Sequence, residues 1–86
     1  MDRKLAWTEE AWKDYLFWQV QGKKTLNRIN KLIEDVKRMP FEGIGKPEPL
    51  RGNLTGFWSR RIDETNRLVY AIDDRFITII SCRYHY

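Results

Sequence analysis

The fold is decided by the last third of the chain, where residues 57–84 read FWSRRIDETNRLVYAIDDRFITIISCRY. Polar turns divide this stretch into three runs, residues 57–62, 67–72 and 75–84. The runs are rich in β-branched and aromatic residues, and short polar turns between such runs are typical of neighbouring antiparallel strands. We therefore predict an antiparallel three-stranded meander.

The N-terminal part of the chain predicts a short strand followed by a helix. Residues 4–7 form an apolar run, and Thr8 precedes two acidic residues. This is a typical helix start, because threonine caps free amides and acids favour the positive end of the helix dipole. We expect the helix to extend to about Val20, before Gly22. Its predicted stripe at helical spacing is Ala11, Trp12, Tyr15, Leu16 and Gln19.

A second helix is predicted from about Lys23 to Arg38, where apolar residues recur at every third or fourth position. Pro40 closes it, and the short gap between the helices predicts an antiparallel helical hairpin. The 86 residues should form one domain, residues 1–86. Its class is α+β, with two N-terminal helices packed on a small twisted antiparallel sheet that includes a short N-terminal strand.

Residues 40–56 contain all three prolines and most of the glycines, which excludes regular helix and central strand. Long loops inside small domains are often functional. Glu48 lies between Pro47 and Pro49, and the two prolines stiffen the backbone around its carboxylate. The arrangement suits a general base, although an exposed turn glutamate fits the same pattern.

Strand alternation separates an apolar set of residues from a polar set. The set expected to pack on the helices is Trp58, Ile62, Leu68, Tyr70, Ile72, Phe76, Ile80 and Cys82. The opposite set is Ser59, Arg61, Arg67, Val69, Ala71, Ser81, Arg83 and His85. An open face with small residues in the middle and cations around them suits a phosphate chain. Each arginine taken alone is equally typical of a solvated sheet face.

The net charge of +4 and the pI of about 9.4 favour polyanionic partners, whether RNA, DNA or an anionic membrane. Cys82 is the single cysteine, so no intrachain disulfide can form, which suits a reducing cytoplasm. The sequence contains no signal-peptide pattern and no apolar run long enough for a membrane span. One histidine and one cysteine do not favour a structural zinc site, and we predict no cofactor.

RNA carries its own nucleophile, the 2′-hydroxyl group. Its cleavage without a metal needs a base, an acid and cations that stabilise charge on the phosphate. His85 is the natural acid because histidine exchanges protons near neutral pH, although a lone terminal histidine is often without a role. Glu48 could supply the base.

Several segments resemble the YoeB toxins of the RelE/ParE superfamily. They are PFEGIGKPEPL at 40–50, GFWSRRI at 56–62, NRLVYA at 66–71, CRYHY at 82–86, and in the first helix WTEEAW at 7–12 with YLFW at 15–18. The resemblance covers nearly the whole chain. This chain departs from the family by a two-residue longer N-terminus and by changes within the second helix.

The resemblance implies a microbial-ribonuclease-like, RelE-like fold and an endoribonuclease that cleaves mRNA in the ribosomal A site. It implies Glu48 as general base, His85 as general acid and Arg67 as the main phosphate stabiliser, with Arg61 and Tyr86 assisting. The resemblance also implies Arg51 as a supporting, phosphate-binding residue. It stands where the family often has lysine, which keeps the charge but changes the donor geometry.

The resemblance also implies a YefM-type antitoxin and a homodimer as partners. The basic second helix could contact ribosomal RNA, although it could equally be a solvated face. Two other functions remain open: a non-catalytic ParE-like toxin that binds DNA gyrase, and an inert regulator that binds only antitoxin and operator DNA.

Overall fold

Two helices pack against one face of a five-stranded sheet in the computed structural model of the chain, which describes residues 2–84. The elements are β1 (Lys4–Trp7), α1 (Glu9–Gln21), α2 (Lys23–Arg38), β2 (Glu48–Pro49), β3 (Phe57–Arg61), β4 (Arg67–Ile72) and β5 (Phe76–Ser81), with a short 3₁₀ turn at Gly52–Leu54. Within the described residues, no helix is both long enough and apolar enough to cross a membrane.

The strands lie in the order β1-β5-β4-β3-β2. Strands β2 to β5 pair in antiparallel fashion, which confirms the meander, whereas β1 joins β5 in parallel and makes the sheet mixed. The predicted α+β class is therefore confirmed. The loop of residues 40–56 contributes β2, a two-residue strand at the sheet edge, where proline is tolerated.

The core lies between the helices and the sheet. Its buried members are Ala11, Ile29, Leu32, Ile33, Val36, Ile62, Leu68, Tyr70, Ile77, Ile79 and Cys82. The apolar stripe of α2 is thus confirmed. The stripe predicted for α1 is partly wrong, because Trp12 and Leu16 are exposed whereas Trp18 packs against the core. The Thr8 cap is confirmed, since its hydroxyl oxygen accepts from the amide of Ala11 at 3.0 Å.

The alternation predicted for the third strand of the meander is partly wrong, although Cys82 lies in the core as predicted. Phe76 is exposed, while Ile77 and Ile79 are buried. The cause is an irregularity at Val69 and Tyr70, which pair with Ser81 and Ile79 and leave Ile80 without an opposite residue. Such a bulge reverses the side-chain alternation on either side of it. The strand also ends at Ser81, earlier than predicted.

Candidate functional site

Strand register brings three of the predicted site residues onto the sheet face that points away from the helices, here called the outer face. Glu48 pairs with Ser59, and Arg61 pairs with Arg67 two residues further along β3. Residues opposite each other in an antiparallel pair, and residues two apart on a strand, share a face. Glu48, Arg61 and Arg67 therefore lie on one face, with the glutamate offset by about 7 Å along the strand direction.

The two arginines form a directly opposed pair of like charges at the end of β3 and the start of β4. Such pairs are unfavourable unless an anion lies between them. Arg67 is half-buried, and its Nη1 donates to the carbonyl oxygens of Asp63 at 2.9 Å and Asn66 at 3.3 Å. Arg61 is exposed, and no residue from 2 to 84 pairs with its guanidinium. This end of the outer face is thus chemically suited to bind a phosphate.

The turn that precedes Arg67 is stabilised by the carboxylate of Asp63. Burial raises the pKa of Asp63, but hydrogen bonds from Asn66 and from the amide of Thr65 outweigh it and leave the pKa lowered. The carboxylate is therefore ionised and engaged within its own turn, while the carbonyl oxygens of the turn orient Arg67.

Glu48 is exposed on the edge strand β2. Among the described residues, none donates a hydrogen bond to its carboxylate or forms an ion pair with it. Its backbone is restrained on both sides, because the carbonyl oxygen of Gly45 accepts from Arg61 and the amide of Leu50 donates to Phe57. The main chain thus determines where the Glu48 side chain leaves the sheet.

The middle of the outer face is less open than the sequence predicted. Ser59, Val69 and Ser81 are nearly fully buried, although they lie on the same face as the arginines. The arginine pair therefore lies at the end of the face, beside a middle that is closed to solvent.

Arg51 is not brought next to the arginine pair. It follows β2 and precedes the 3₁₀ turn, near Phe57 at the start of β3, whereas Arg61 lies at the end of that strand. The length of β3 separates these positions by about 13 Å. Arg51 is exposed and could contact only a different part of an extended ligand.

The segment of residues 82–84 runs from the core to the arginine pair. The amide of Cys82 donates to Asp14 Oδ2 at 3.0 Å, and the indole of Trp18 donates to the carbonyl oxygen of Cys82 at 2.8 Å. Burial raises the pKa of Asp14, and the bond from Cys82 opposes this increase. Helix α1 thus fixes the start of the segment.

The other end of the segment lies beside Arg67. The carbonyl oxygen of Tyr84 accepts from the amide of Arg67 at 2.8 Å, and the amide of Tyr84 donates to Asn66 Oδ1 at 2.7 Å. His85 and Tyr86, for which we predict catalytic and supporting roles, lie outside the described residues. Because β5 ends at Ser81 and Tyr84 has a positive φ of 64°, strand alternation cannot be extended to residue 85.

Arg83 was predicted on the outer face, but it does not lie there. Its guanidinium stacks 3.6 Å from the ring centroid of Phe17 on α1 and 4.6 Å from that of Tyr84. The early end of β5 explains the difference, since residues beyond Ser81 no longer alternate as a strand does.

Sequence reasoning missed a buried arginine next to the site. Arg60 is fully buried and forms an ion pair with Asp35 of α2 at 2.6 Å. A signal was present in both elements. Arg60 shares its strand face with Trp58 and Ile62, and Asp35 adjoins the apolar stripe of its helix. A charged residue on a buried face needs a partner, so each of these two residues indicates an oppositely charged partner on another buried face.

Residues 2–84 contain no cluster of three or more histidine, cysteine, aspartate or glutamate side chains arranged to bind a metal ion. Cys82 is also unsuited as a ligand or nucleophile, since burial and the nearby Asp14 charge raise the pKa of its thiol to about 12.

The comparisons with known proteins agree with this arrangement. Residues 7–86 match the family described as the YoeB-like toxin of bacterial type II toxin-antitoxin systems. The toxin YoeB of Escherichia coli K12 is 60% identical over 83 residues, which cover 96% of this chain and 99% of that protein. The YoeB dimer and the YoeB-YefM complex of Staphylococcus aureus, each 45% identical over the whole of both chains, superpose with TM-scores of 0.92 and 0.89. The chain therefore belongs to the family of YoeB-like toxins of bacterial type II toxin-antitoxin systems.

Proposed function

We propose that this toxin is a metal-independent endoribonuclease that cleaves mRNA in the ribosomal A site and so inhibits translation. The observation that carries the proposal is the placement of Glu48 on the same sheet face as the opposed pair Arg61 and Arg67. A carboxylate beside two cations provides a base and a phosphate-binding site for one scissile linkage.

In the proposed reaction, Glu48 accepts the proton of the RNA 2′-hydroxyl, whose oxygen attacks the adjacent phosphorus. The bond from phosphorus to the 5′ oxygen breaks, and His85 donates a proton to that leaving oxygen. The products are a 2′,3′-cyclic phosphate and a 5′-hydroxyl end. Arg67 and Arg61 stabilise the negative charge that develops on the phosphate, and Tyr86 assists.

The role of His85 is supported by the segment that precedes it. Tyr84 is hydrogen-bonded to the backbone of Arg67, and His85 is the next residue in the chain. The proposal therefore assigns to His85 the proton donation that general acid catalysis requires.

Helix α2 supplies a second basic surface, which we propose contacts ribosomal RNA. Lys23, Lys24, Arg28 and Lys31, with Asn27, line a shallow groove of about 500 Å³ on its exposed side. Contacts from such a groove to the phosphate backbone would add affinity that falls as salt concentration rises. Arg51 would contact mRNA away from the scissile phosphate.

We also propose a YefM-like antitoxin and a second copy of the chain as protein partners, because the related Staphylococcus aureus toxin has been solved as a dimer and in complex with YefM. Trp12, Leu16 and Val20 form an exposed apolar stripe on α1. Apolar surface of this kind is what protein partners bury. The site of action would be the cytoplasm, where bacterial mRNA is translated.

The test is cleavage of a short mRNA on programmed ribosomes, with analysis of both new ends. We expect a 2′,3′-cyclic phosphate, or the 3′-phosphate derived from it, and no cut where the attacking nucleotide is 2′-deoxy. A 3′-hydroxyl end would contradict the mechanism, because it requires attack by water. Free RNA incubated with excess toxin and EDTA tests metal independence without dissociating ribosomes, and loss of all cleavage in EDTA would contradict that part of the proposal.

The residue roles are tested with Glu48→Gln and His85→Gln, compared with Arg75→Lys in the exposed turn before β5. Loss of a general base or acid should slow the chemical step by about 10²–10⁴-fold, while the Arg75 variant should match the wild type. A wild-type rate for either site variant would remove that residue from the mechanism.

A further inference from the structure

Arg60 extends from β3 into the core side of the sheet and contacts a loop as well as Asp35. Its Nη2 donates to the carbonyl oxygens of Met39 at 2.5 Å and Glu42 at 2.8 Å, and its Nη1 donates to that of Ile44 at 3.1 Å. Its Nε donates to the hydroxyl of Tyr70 at 3.1 Å. One buried side chain therefore binds three backbone carbonyl groups of the loop.

Tyr70 and Asp35 complete this arrangement, and the three residues are called the Arg60 cluster. The Tyr70 hydroxyl donates to the carbonyl oxygen of Pro40 at 2.8 Å, and Asp35 Oδ2 accepts from the amide of Ile44 at 3.0 Å. Residues 39–44 thus have four carbonyl groups and one amide bound by the cluster, in a segment without helix or strand.

The loop packs so tightly on the cluster that glycine is required at one position. Gly43 has a φ of +122°, and a Cβ atom built on it would lie 2.0 Å from Asp35 Oδ2. Neither the backbone angle nor the space would accept a side chain there. The path of the loop is therefore set by the cluster.

This loop leads directly to Glu48. The cluster binds the loop up to Ile44, Gly45 then accepts from the amide of Arg61, and Glu48 follows three residues later as the partner of Ser59. The Glu48 carboxylate has no partner among residues 2–84, so the loop backbone determines where its side chain leaves the sheet relative to the arginine pair.

We propose that Arg60 is a positioning residue for RNA cleavage, which acts by fixing the loop of residues 39–45 and hence the Glu48 carboxylate. The inference rests on the proposed role of Glu48 as the base. Arg60 and Arg61 are neighbours on one strand but have different roles. Arg60 orients the loop from the core side of the sheet, whereas Arg61 faces the outer side. Displacement of a catalytic group by about 1 Å can cost about 10²-fold in rate.

The experiment compares steady-state cleavage by Arg60→Lys, Tyr70→Phe and Arg38→Met with the wild type, well below each unfolding temperature. Lysine keeps the charge but loses the fork of donors, so we expect kcat to fall about 10–100-fold with KM changed by less than about threefold. Tyr70→Phe removes only the hydroxyl and should slow kcat about three- to tenfold. Arg38 binds the same Asp35 carboxylate from the surface but touches no loop carbonyl, so its variant should keep the wild-type kcat.

A double-mutant cycle separates positioning from general loss of structure. If Tyr70 and Arg60 act through Glu48, adding Tyr70→Phe to Glu48→Gln should slow residual cleavage no further. Should the two effects instead multiply, or should Arg38→Met slow kcat as much as Tyr70→Phe, the positioning role is overturned while the base role of Glu48 stands. A wild-type rate for Glu48→Gln alone overturns the base role, and with it this inference. If Arg60→Lys does not fold, Tyr70→Phe and the cycle decide the question.

Discussion

The two segments that lead to Glu48 and to His85 are anchored in different ways. The loop of residues 39–45 is bound by a buried ion pair, with Arg60 completely removed from solvent and its partner Asp35 only 9% exposed at the side chain. The segment of residues 82–84 is bound through its backbone by separate side chains of α1 and the 63–66 turn, Asp14, Trp18 and Asn66. The first anchor is concentrated in one charged group, and the second is distributed over several single hydrogen bonds.

This difference determines how each segment should respond to change. Removing one partner of a buried ion pair leaves an uncompensated charge in the core, which costs more than losing one ordinary hydrogen bond. The loop of residues 39–45 should therefore lose its structure in a single step, together with much of the fold. The terminal segment should loosen in steps while the rest of the domain stays folded.

The largest effect is expected for Asp35→Asn. This change keeps the shape of the side chain but leaves the Arg60 guanidinium without its counter-charge, so the free energy of unfolding should fall by about 3–5 kcal/mol. That is a large part of the stability of a small domain. Urea denaturation followed by tryptophan fluorescence measures it.

The matched control is Glu34→Gln, at the neighbouring position on α2. Glu34 pairs with Lys37 at 3.6 Å on the surface, and such exposed pairs contribute about 0.3–0.5 kcal/mol. Equal losses for the two variants would contradict the view that the loop depends on a buried charge.

The parts of the fold that follow from local sequence patterns could be predicted, whereas the parts that depend on pairing between distant segments could not. The helices, the meander and the cap at Thr8 follow from local patterns, and the structure confirms them. The reversal in β5 arises from a bulge opposite Val69 and Tyr70, and its position depends on the pairing with β4. The parallel pairing of β1 with β5 is likewise a contact between distant parts of the chain.

Site residues were predictable to different degrees. Arg61 and Arg67 were correctly predicted to share the outer face, because the turn between their strands sets the register. Glu48 was predicted in a loop, so its pairing with Ser59 on the same face was not predicted. Arg51 was predicted as an assisting residue but lies at the far end of β3, since its position depends on a loop whose path the sequence alone does not determine. That path depends on Arg60, which was not predicted as a functional residue because the outer-face pattern selects its neighbour Arg61.

Acid should weaken the loop anchor in a defined pH range. Hydrogen bonds from Arg38, the amide of Ile44 and Arg60 lower the pKa of Asp35 from 3.8 to about 2. A lowered pKa in the folded state means that the ionised carboxylate contributes stability above about pH 4, and that this contribution disappears as the pH falls towards 2. The free energy of unfolding of the wild type should therefore fall through this range.

The comparison with Asp35→Asn isolates this group from other carboxylates. Asp63 and Asp73 also have lowered pKa values and will contribute to the wild-type slope. The variant should show a shallower dependence of unfolding free energy on pH, by up to about one proton. Identical slopes in urea midpoints between about pH 4 and pH 2 would show that Asp35 does not carry the acid sensitivity.

The smallest effect concerns the terminal segment, where Asp14→Ala removes the acceptor for the Cys82 amide. An unsatisfied buried donor costs about 1–3 kcal/mol, and solvent can reach this half-buried site, so we expect a loss near the lower end. Hydrogen exchange of the Cys82 amide should become about tenfold faster, and cleavage should slow by a similar factor because His85 is attached to the loosened segment.

Asp14→Asn is the matched control, since its amide oxygen can accept the same bond while the cost of a half-buried charge is removed. It should keep amide protection, cleavage and stability at or above the wild-type level. If Asp14→Ala destabilised the whole domain as much as Asp35→Asn does, the two anchors would not differ as the structure indicates.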